Sequence, residues 1–352
     1  MLVNASVLSG YEFEFIEESH LAIENGAIRD IGEGYTSGAL DYTGFIAMPS
    51  FFNAHTHIGD SFAKEAVLRL NVDEAVGRKG LKWKLYKEST REERIDAMRE
   101  TLDYMISSGT TAFADFREQG LEGIREIKEA LEGGKIKSVI LGRDVSESEC
   151  DGIGVNTYQT EQIRKDRKKI AALHAGENEG EVRIALKCKP DIAIHFTKAT
   201  TSEIKQATKQ KMSIVVCPSS NSMLGVGFPK VREMIDAGLN VALGTDNVMI
   251  SQPDLFNEMR CLFKTSMLMK QALTPEEVLR MATCNGAKAF GMKTGLLKKG
   301  FNADFMFIDK NAPGLRYSRN IKASLVNRCC REDVRKIMID GNIVLDKDSK
   351  RR

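Results

Sequence analysis

A chain of 352 residues with 42% hydrophobic and 28% charged side chains is long enough for one large α/β barrel plus a smaller companion domain. Its net charge of +2 argues against nucleic acid or a membrane surface as partner. Seven scattered cysteines without a Cys-x-x-Cys pair speak against a zinc knuckle or thioredoxin motif and fit a reducing, cytoplasmic setting, and no run has the pattern of a signal peptide or membrane span.

In chain order, residues 1–47 read as short strands. Tyr11-Glu-Phe-Glu-Phe-Ile alternates, and Asn25-Gly26 marks a hairpin turn. His20 belongs to this region and reads as a surface histidine. From about Met48 the pattern changes to strand followed by helix. Pro49-Ser-Phe-Phe-Asn-Ala-His55-Thr-His57 reads as a buried strand ending in two histidines. Side chains at i and i+2 project to one side of a strand, so His55 and His57 can aim at one metal ion. The connection Gly59–Ser89 is too long for a simple turn; a lid and a helical excursion beside the barrel fit it equally.

Thr90-Arg-Glu-Glu93 predicts a capping box, and Gly109 ends the helix that it starts. Strand two covers Thr110–Phe116, strand three Ser138–Gly142 with Arg143 following, and strand four Gly152–Asn156. Strands five and six end at His174 and His195, strand seven is Ser213-Ile-Val-Val-Cys-Pro, and strand eight is Asn240–Thr245. Two helices follow Asp246, the second opened by the capping box Thr274-Pro-Glu-Glu277 and closed by Gly291. The alternation implies a (β/α)8 TIM-type barrel over residues 48–298. Ala303-Asp-Phe-Met-Phe-Ile and a hairpin at Asp340-Gly341 return to strands. Neither end makes a good core alone, so residues 1–47 and 299–352 are expected to meet in one small β-sandwich.

Successive strand ends thus deliver His55, His57, His174, His195 and Asp246, at the face where a parallel barrel collects its active site. Three nitrogen ligands and a carboxylate, with room for water, describe a catalytic metal site.

The pieces Pro49 to His57, Ser108-Gly-Thr-Thr-Ala-Phe-Ala-Asp115, His174-Ala-Gly-Glu177, His195, Cys217-Pro-Ser-Ser-Asn221 and Gly244-Thr-Asp246 resemble the amidohydrolase superfamily. The likeness is to its branch of cytosine, guanine and adenosine-type (methylthioadenosine/S-adenosylhomocysteine) deaminases and chlorohydrolases. The resemblance implies the same barrel and terminal sandwich, with His55, His57, His174 and Asp246 as metal ligands. It implies Glu177 as a proton shuttle, and His195 as holder of the attacking water or a substrate carbonyl, with Asp246 also accepting a proton. Binuclear members use a strand-four lysine, absent from Gly152-Ile-Gly-Val-Asn156, so one divalent ion is expected. Zinc leads, and iron or manganese suit the same ligands.

The implied function is metal-dependent hydrolytic deamination of a nitrogen heterocycle (nucleobase, nucleoside or pterin-like) with release of ammonia. The alternatives are a same-fold hydrolase of a cyclic amide, imidazolone or chlorinated heterocycle, and an inactive scaffold barrel. Phe196-Thr-Lys198 departs from relatives that carry a second histidine there, and the loop after His57 lacks the usual tryptophan-to-glutamate ribose grip. Arg143 and Arg117 are the candidates for an anionic or carbonyl-bearing part of the substrate. The partner is a small molecule, and the reading leaves a homo-oligomer open.

Overall fold

The computed structural model describes residues 1–163 and 167–349. Among these residues sixteen strands, numbered in chain order, fall into two sheets. The chain ends supply β1 (Leu2–Ser9), β2 (Glu14–Glu24), β3 (Ala27–Glu33), β4 (Leu40–Pro49), and later β14 (Phe305–Asp309), β15 (Val334–Ile339) and β16 (Asn342–Asp346). These form one seven-stranded sheet in the order β16-β15-β14-β4-β1-β2-β3, so the two ends of the chain share a sheet across the β14–β4 pairing. Both hairpin turns need positive φ at two consecutive residues. Asn25 and Gly26 have φ of 51° and 77°, and Asp340 and Gly341 have 47° and 73°.

The central sheet is parallel throughout: β5 (Phe51–His57), β6 (Thr110–Arg117), β7 (Lys137–Gly142), β8 (Gly152–Val155), β9 (Ile170–Ala175), β10 (Ile192–His195), β11 (Ser213–Val216) and β12 (Asn240–Leu243) pair in chain order. The short β13 (Asp246–Asn247) directly follows β12 and pairs with Thr56 and His57 of β5, which closes the barrel. A side-chain bridge braces the same seam. Asn53 donates to Thr245 Oγ1 at 2.8 Å and accepts the Thr245 N–H at 3.0 Å.

Apolar side chains separate into layers because the strands alternate. Phe52, Ala112, Leu141, Ala172, Ile192, Val215 and Ala242 pack in one cluster drawn from seven strands, and a larger cluster joins the strands to the surrounding helices. Among those helices, Pro275–Ala282 starts with Thr274, whose side chain accepts the Glu277 N–H while the Glu277 carboxylate accepts the Thr274 N–H. Thr90 accepts the Glu93 N–H at the start of Arg91–Ser107.

The long connection after β5 is helical and also covers the barrel mouth. It holds a turn at Ile58–Ala63 and helices at Val72–Val76 and Leu81–Glu88. Ala63, Val67 and Ala75 pack on Met249 and Ile250 in a small apolar cluster of their own. No helix among the described residues is long and apolar enough to cross a membrane.

Candidate active site

The strand ends predicted from sequence come together at one end of the barrel. His55, His57, His174, His195 and Asp246 are all less than a tenth exposed. Three devices aim them. In the pairing of β5 with β6 the register shifts between Asn53 and Thr56, an irregularity that spans His55 and precedes His57. His174 follows Ala172 on the same face of β9. His195 and Asp246 have left-handed backbones, with φ of 71° and 61°. Non-glycine residues held there cost about 1–3 kcal/mol and cluster where function requires a particular aim.

His57 Nε2 and His174 Nε2 lie 3.2 Å apart. Each ring has its other nitrogen on an acceptor: His57 Nδ1–H on Glu118 Oε1 at 2.8 Å, and His174 Nδ1–H on the Val155 carbonyl at 3.3 Å. Both Nε2 atoms therefore present lone pairs to the same point. Asp246 Oδ1 stands 3.0 Å from His55 Nε2 and 3.6 Å from His57 Nε2. Burial pushes His55 down to about 4, and burial with the neighbouring rings holds His174 well below the usual histidine range. Against its own burial, the hydrogen bond to His55 holds the Asp246 carboxyl well below the usual carboxylate range. Neutral imidazoles facing an ionised carboxylate are a donor set for a divalent cation. His195 also has a ligand atom within 4.8 Å of those of His55, His174 and Asp246, so it stands as close to the metal point as the ligands expected from sequence.

The segment after β11 holds two of these groups. Ser220 O–H donates to Asp246 Oδ2 at 2.5 Å, and Asn221 Oδ1 accepts the His195 Nδ1–H at 3.0 Å. That bond leaves His195 Nε2 facing Glu177 Oε2 at 3.7 Å. Glu177 reaches its place because β9 turns sharply. Gly176 has φ of 100°, and a Cβ there would stand 3.0 Å from the Phe196 Cα. Glu181 then clamps the turn, one oxygen accepting the N–H groups of Gly176, Glu177 and Asn178 at 3.0–3.1 Å. Burial raises the Glu177 carboxyl above its usual range, with His195 opposing and Asp246 adding to the rise.

His57, His174, Glu177, His195 and Asp246 line a pocket open to solvent, with Lys82, Trp83, Arg143 and Asn156 on its walls. Arg143 donates from Nε to the Gly154 carbonyl at 3.2 Å and lies 3.8 Å from Glu118, while its Nη2 is buried without a hydrogen-bond partner among the described residues. Arg117 does not line this pocket. It is 2% exposed, its guanidinium packs where a Cβ on Gly59 would stand, and it pairs with Asp115 and Glu118. One residue of strand register separates a pocket wall from the structure beneath it.

Sequence reasoning missed the ionic floor around Arg117. Lys82 Nζ lies 2.7 Å from both Asp60 Oδ2 and Glu118 Oε1, and Tyr86 O–H donates to Asp60 Oδ1 at 2.7 Å. Against burial, Lys82 first and then His57 and Arg143 hold the Glu118 carboxyl well below the usual range. His57, Asp60 and Glu118 form a second group with metal-ligand spacing, but the Lys82 ammonium already serves its two carboxylates. The one available signal was Asp115, Arg117 and Glu118, three charges crowded at the end of a buried strand.

The sequence pattern of the amidohydrolase family matches residues 46–191 and 158–344. An uncharacterized protein of Methanocaldococcus jannaschii is 32% identical, covering 95% of this chain and 96% of its own. A 5-methylthioadenosine/S-adenosylhomocysteine deaminase of Pelotomaculum thermopropionicum is 29% identical, covering 94% and 89%. Among solved structures, an adenosine deaminase from Xanthomonas campestris with bound zinc superposes with a TM-score of 0.81 at 19% identity, over 98% of this chain and 93% of that one, a likeness of fold.

Proposed function

The chain belongs to the amidohydrolase family, and from that premise we propose that it is a hydrolytic deaminase of an amino-substituted nitrogen heterocycle. Water replaces the amino group, giving the ring carbonyl and ammonia. The observation that carries the reading is Glu177, placed 3.7 Å from His195 at the edge of the imidazole–carboxylate cluster, with its carboxyl shifted towards the proton-holding form. His55, His57, His174 and Asp246 would hold one divalent ion, zinc first: His55, His174 and Asp246 share ligand spacing with His195, and His57 joins them through its Nε2, 3.2 Å from His174 Nε2 and 3.6 Å from Asp246 Oδ1. The built-in cation Lys82 at the second carboxylate group supports a single ion. When bound, the ion supplies the Lewis acidity that makes a water nucleophilic near neutral pH.

The chain's own groups handle the protons. Glu177 takes a proton from the attacking water, gives it to the ring nitrogen beside the reacting carbon, and passes the second to the departing amine. His195, its Nδ1–H anchored on Asn221, turns Nε2 to the oxygen that becomes the product carbonyl. Asp246, fixed by Ser220, would accept a hydrogen bond from the same water and orient it, while both of the water's protons travel through Glu177. Trp83 offers a flat wall to a ring, and the unpartnered Arg143 Nη2 offers a donor to a carbonyl or anionic substituent. The relatives' names support the amino-heterocycle class. A barrel over residues 48–298, a companion β-sandwich of residues 1–47 and 299–352, and a cytoplasmic setting belong to the same proposal.

Glu177→Gln tests it. Glutamine keeps the reach but cannot take a proton, so turnover falls by about 10²–10⁴-fold while metal content and melting temperature hold. Near-native turnover would remove Glu177 from the mechanism and the deaminase reading with it.

A further inference from the structure

The connection between β5 and the helix Arg91–Ser107 carries a buried cation to the pocket wall. Lys82 is 3% exposed, and its ammonium shares Glu118 Oε1 with the His57 ring, at 2.7 Å and 2.8 Å respectively. Glu118 is the acceptor that fixes His57 with Nε2 towards His174. Nearby cations do not duplicate Lys82: Arg117 reaches the other oxygen at 3.2 Å, and Arg143 stands 3.8 Å away. The same connection brings Val76 and Trp83 to the pocket wall. The helix that stands over the substrate space therefore also holds the carboxylate that orients a metal-facing ring.

We propose that Lys82 is a positioning residue that couples the seating of residues 58–89 over the pocket to the orientation of His57, acting through Glu118. With the segment seated, Lys82 fixes Glu118, and Glu118 fixes the ring. When the segment lifts, Glu118 loses its nearest cation and His57 loses a fixed acceptor. Groups that orient a ligating imidazole typically contribute about 10–100-fold in metal affinity or activity. The inference rests on the reading of His57 as a metal ligand.

The test uses the full chain loaded with zinc, or with cobalt(II) as a spectroscopic probe, and measures metal release to a chelator and the visible cobalt spectrum. Lys82→Met should release metal about 10–100-fold faster and alter the cobalt bands. Lys82→Arg should restore both towards the parent protein. Tyr86→Phe removes a bond to Asp60, which also holds Lys82, and one from Arg117, which also holds Glu118; it loosens the same helix and should release metal faster than the parent but more slowly than Lys82→Met. If the methionine variant does not fold, Lys82→Gln replaces it, with the same direction expected. Parent-like release and spectrum in Lys82→Met or Lys82→Gln would overturn the proposal, and a parent-like rate in Tyr86→Phe would overturn its coupling to the segment. A parent protein that takes up no metal would instead overturn the ligand reading beneath it.

Discussion

Replacing Arg117 by methionine separates a structural cation from a substrate contact. Asp115 is fully buried. Its Oδ1 accepts from Thr56 O–H at 2.9 Å and Ile58 N–H at 2.7 Å, whereas Oδ2 has no hydrogen-bond partner among the described residues and only the Arg117 guanidinium at 3.4 Å. Methionine conserves much of the arginine volume, so the cavity contribution is small. What remains is a carboxylate without its cation, and removing one partner of a buried pair costs about 3–5 kcal/mol. Whole domains are stable by only about 5–15 kcal/mol, so the urea midpoint should drop sharply with little change in slope. The loss should also depend on pH. Burial raises the Asp115 carboxyl and Arg117 opposes that rise. Without Arg117 the folded chain keeps a proton that the unfolded chain releases near pH 3.9, so the variant loses stability as pH rises above about 4 and regains it as pH falls. Asp115→Asn added to the variant should recover part of the loss. KM should stay within about twofold of the parent. A destabilisation below about 1 kcal/mol, or an intact fold with KM raised tenfold, would refute the buried-floor reading and return Arg117 to the substrate.

Two further substitutions probe how the site is held. Asn53→Ala removes both bonds that brace β5 against Thr245, and should cost about 2–3 kcal/mol in denaturant unfolding; a loss under 0.5 kcal/mol, within the range of about ±0.5 kcal/mol of a surface change, would mean the seam does not depend on it. Glu181→Ala takes away the acceptor of three backbone N–H groups around Glu177. Turnover should fall by up to about 10²-fold with metal content unchanged, and unchanged turnover would show that Glu177 is positioned without the clamp.

The strand ends were legible because each short apolar run closes in a polar residue, and chain order alone assembles them on one face of a barrel. The hairpins at Asn25-Gly26 and Asp340-Gly341 were legible for a local reason, since few residue pairs tolerate two positive φ values. What lay outside sequence reasoning depends on register or on long separations. Arg117 and Glu118 are adjacent, yet only Glu118 faces the pocket. Simple alternation does not foretell the aim of His195 and Asp246, because a left-handed backbone turns each of them. Lys82 meets Glu118 across 36 residues, and no periodicity in the connecting segment announces that pairing. The segment itself reconciled two readings: it is helical, and it also covers the pocket.

The most direct test of the deaminase account is ammonia release from the zinc-loaded protein over a panel of amino-substituted bases, nucleosides and pterins. The account predicts ammonia and the ring carbonyl in equal amounts from at least one member of the panel, lost in Glu177→Gln. Protein carrying one zinc per chain that yields no ammonia from the panel, but releases chloride from a chlorinated heterocycle or opens a cyclic amide, would contradict it.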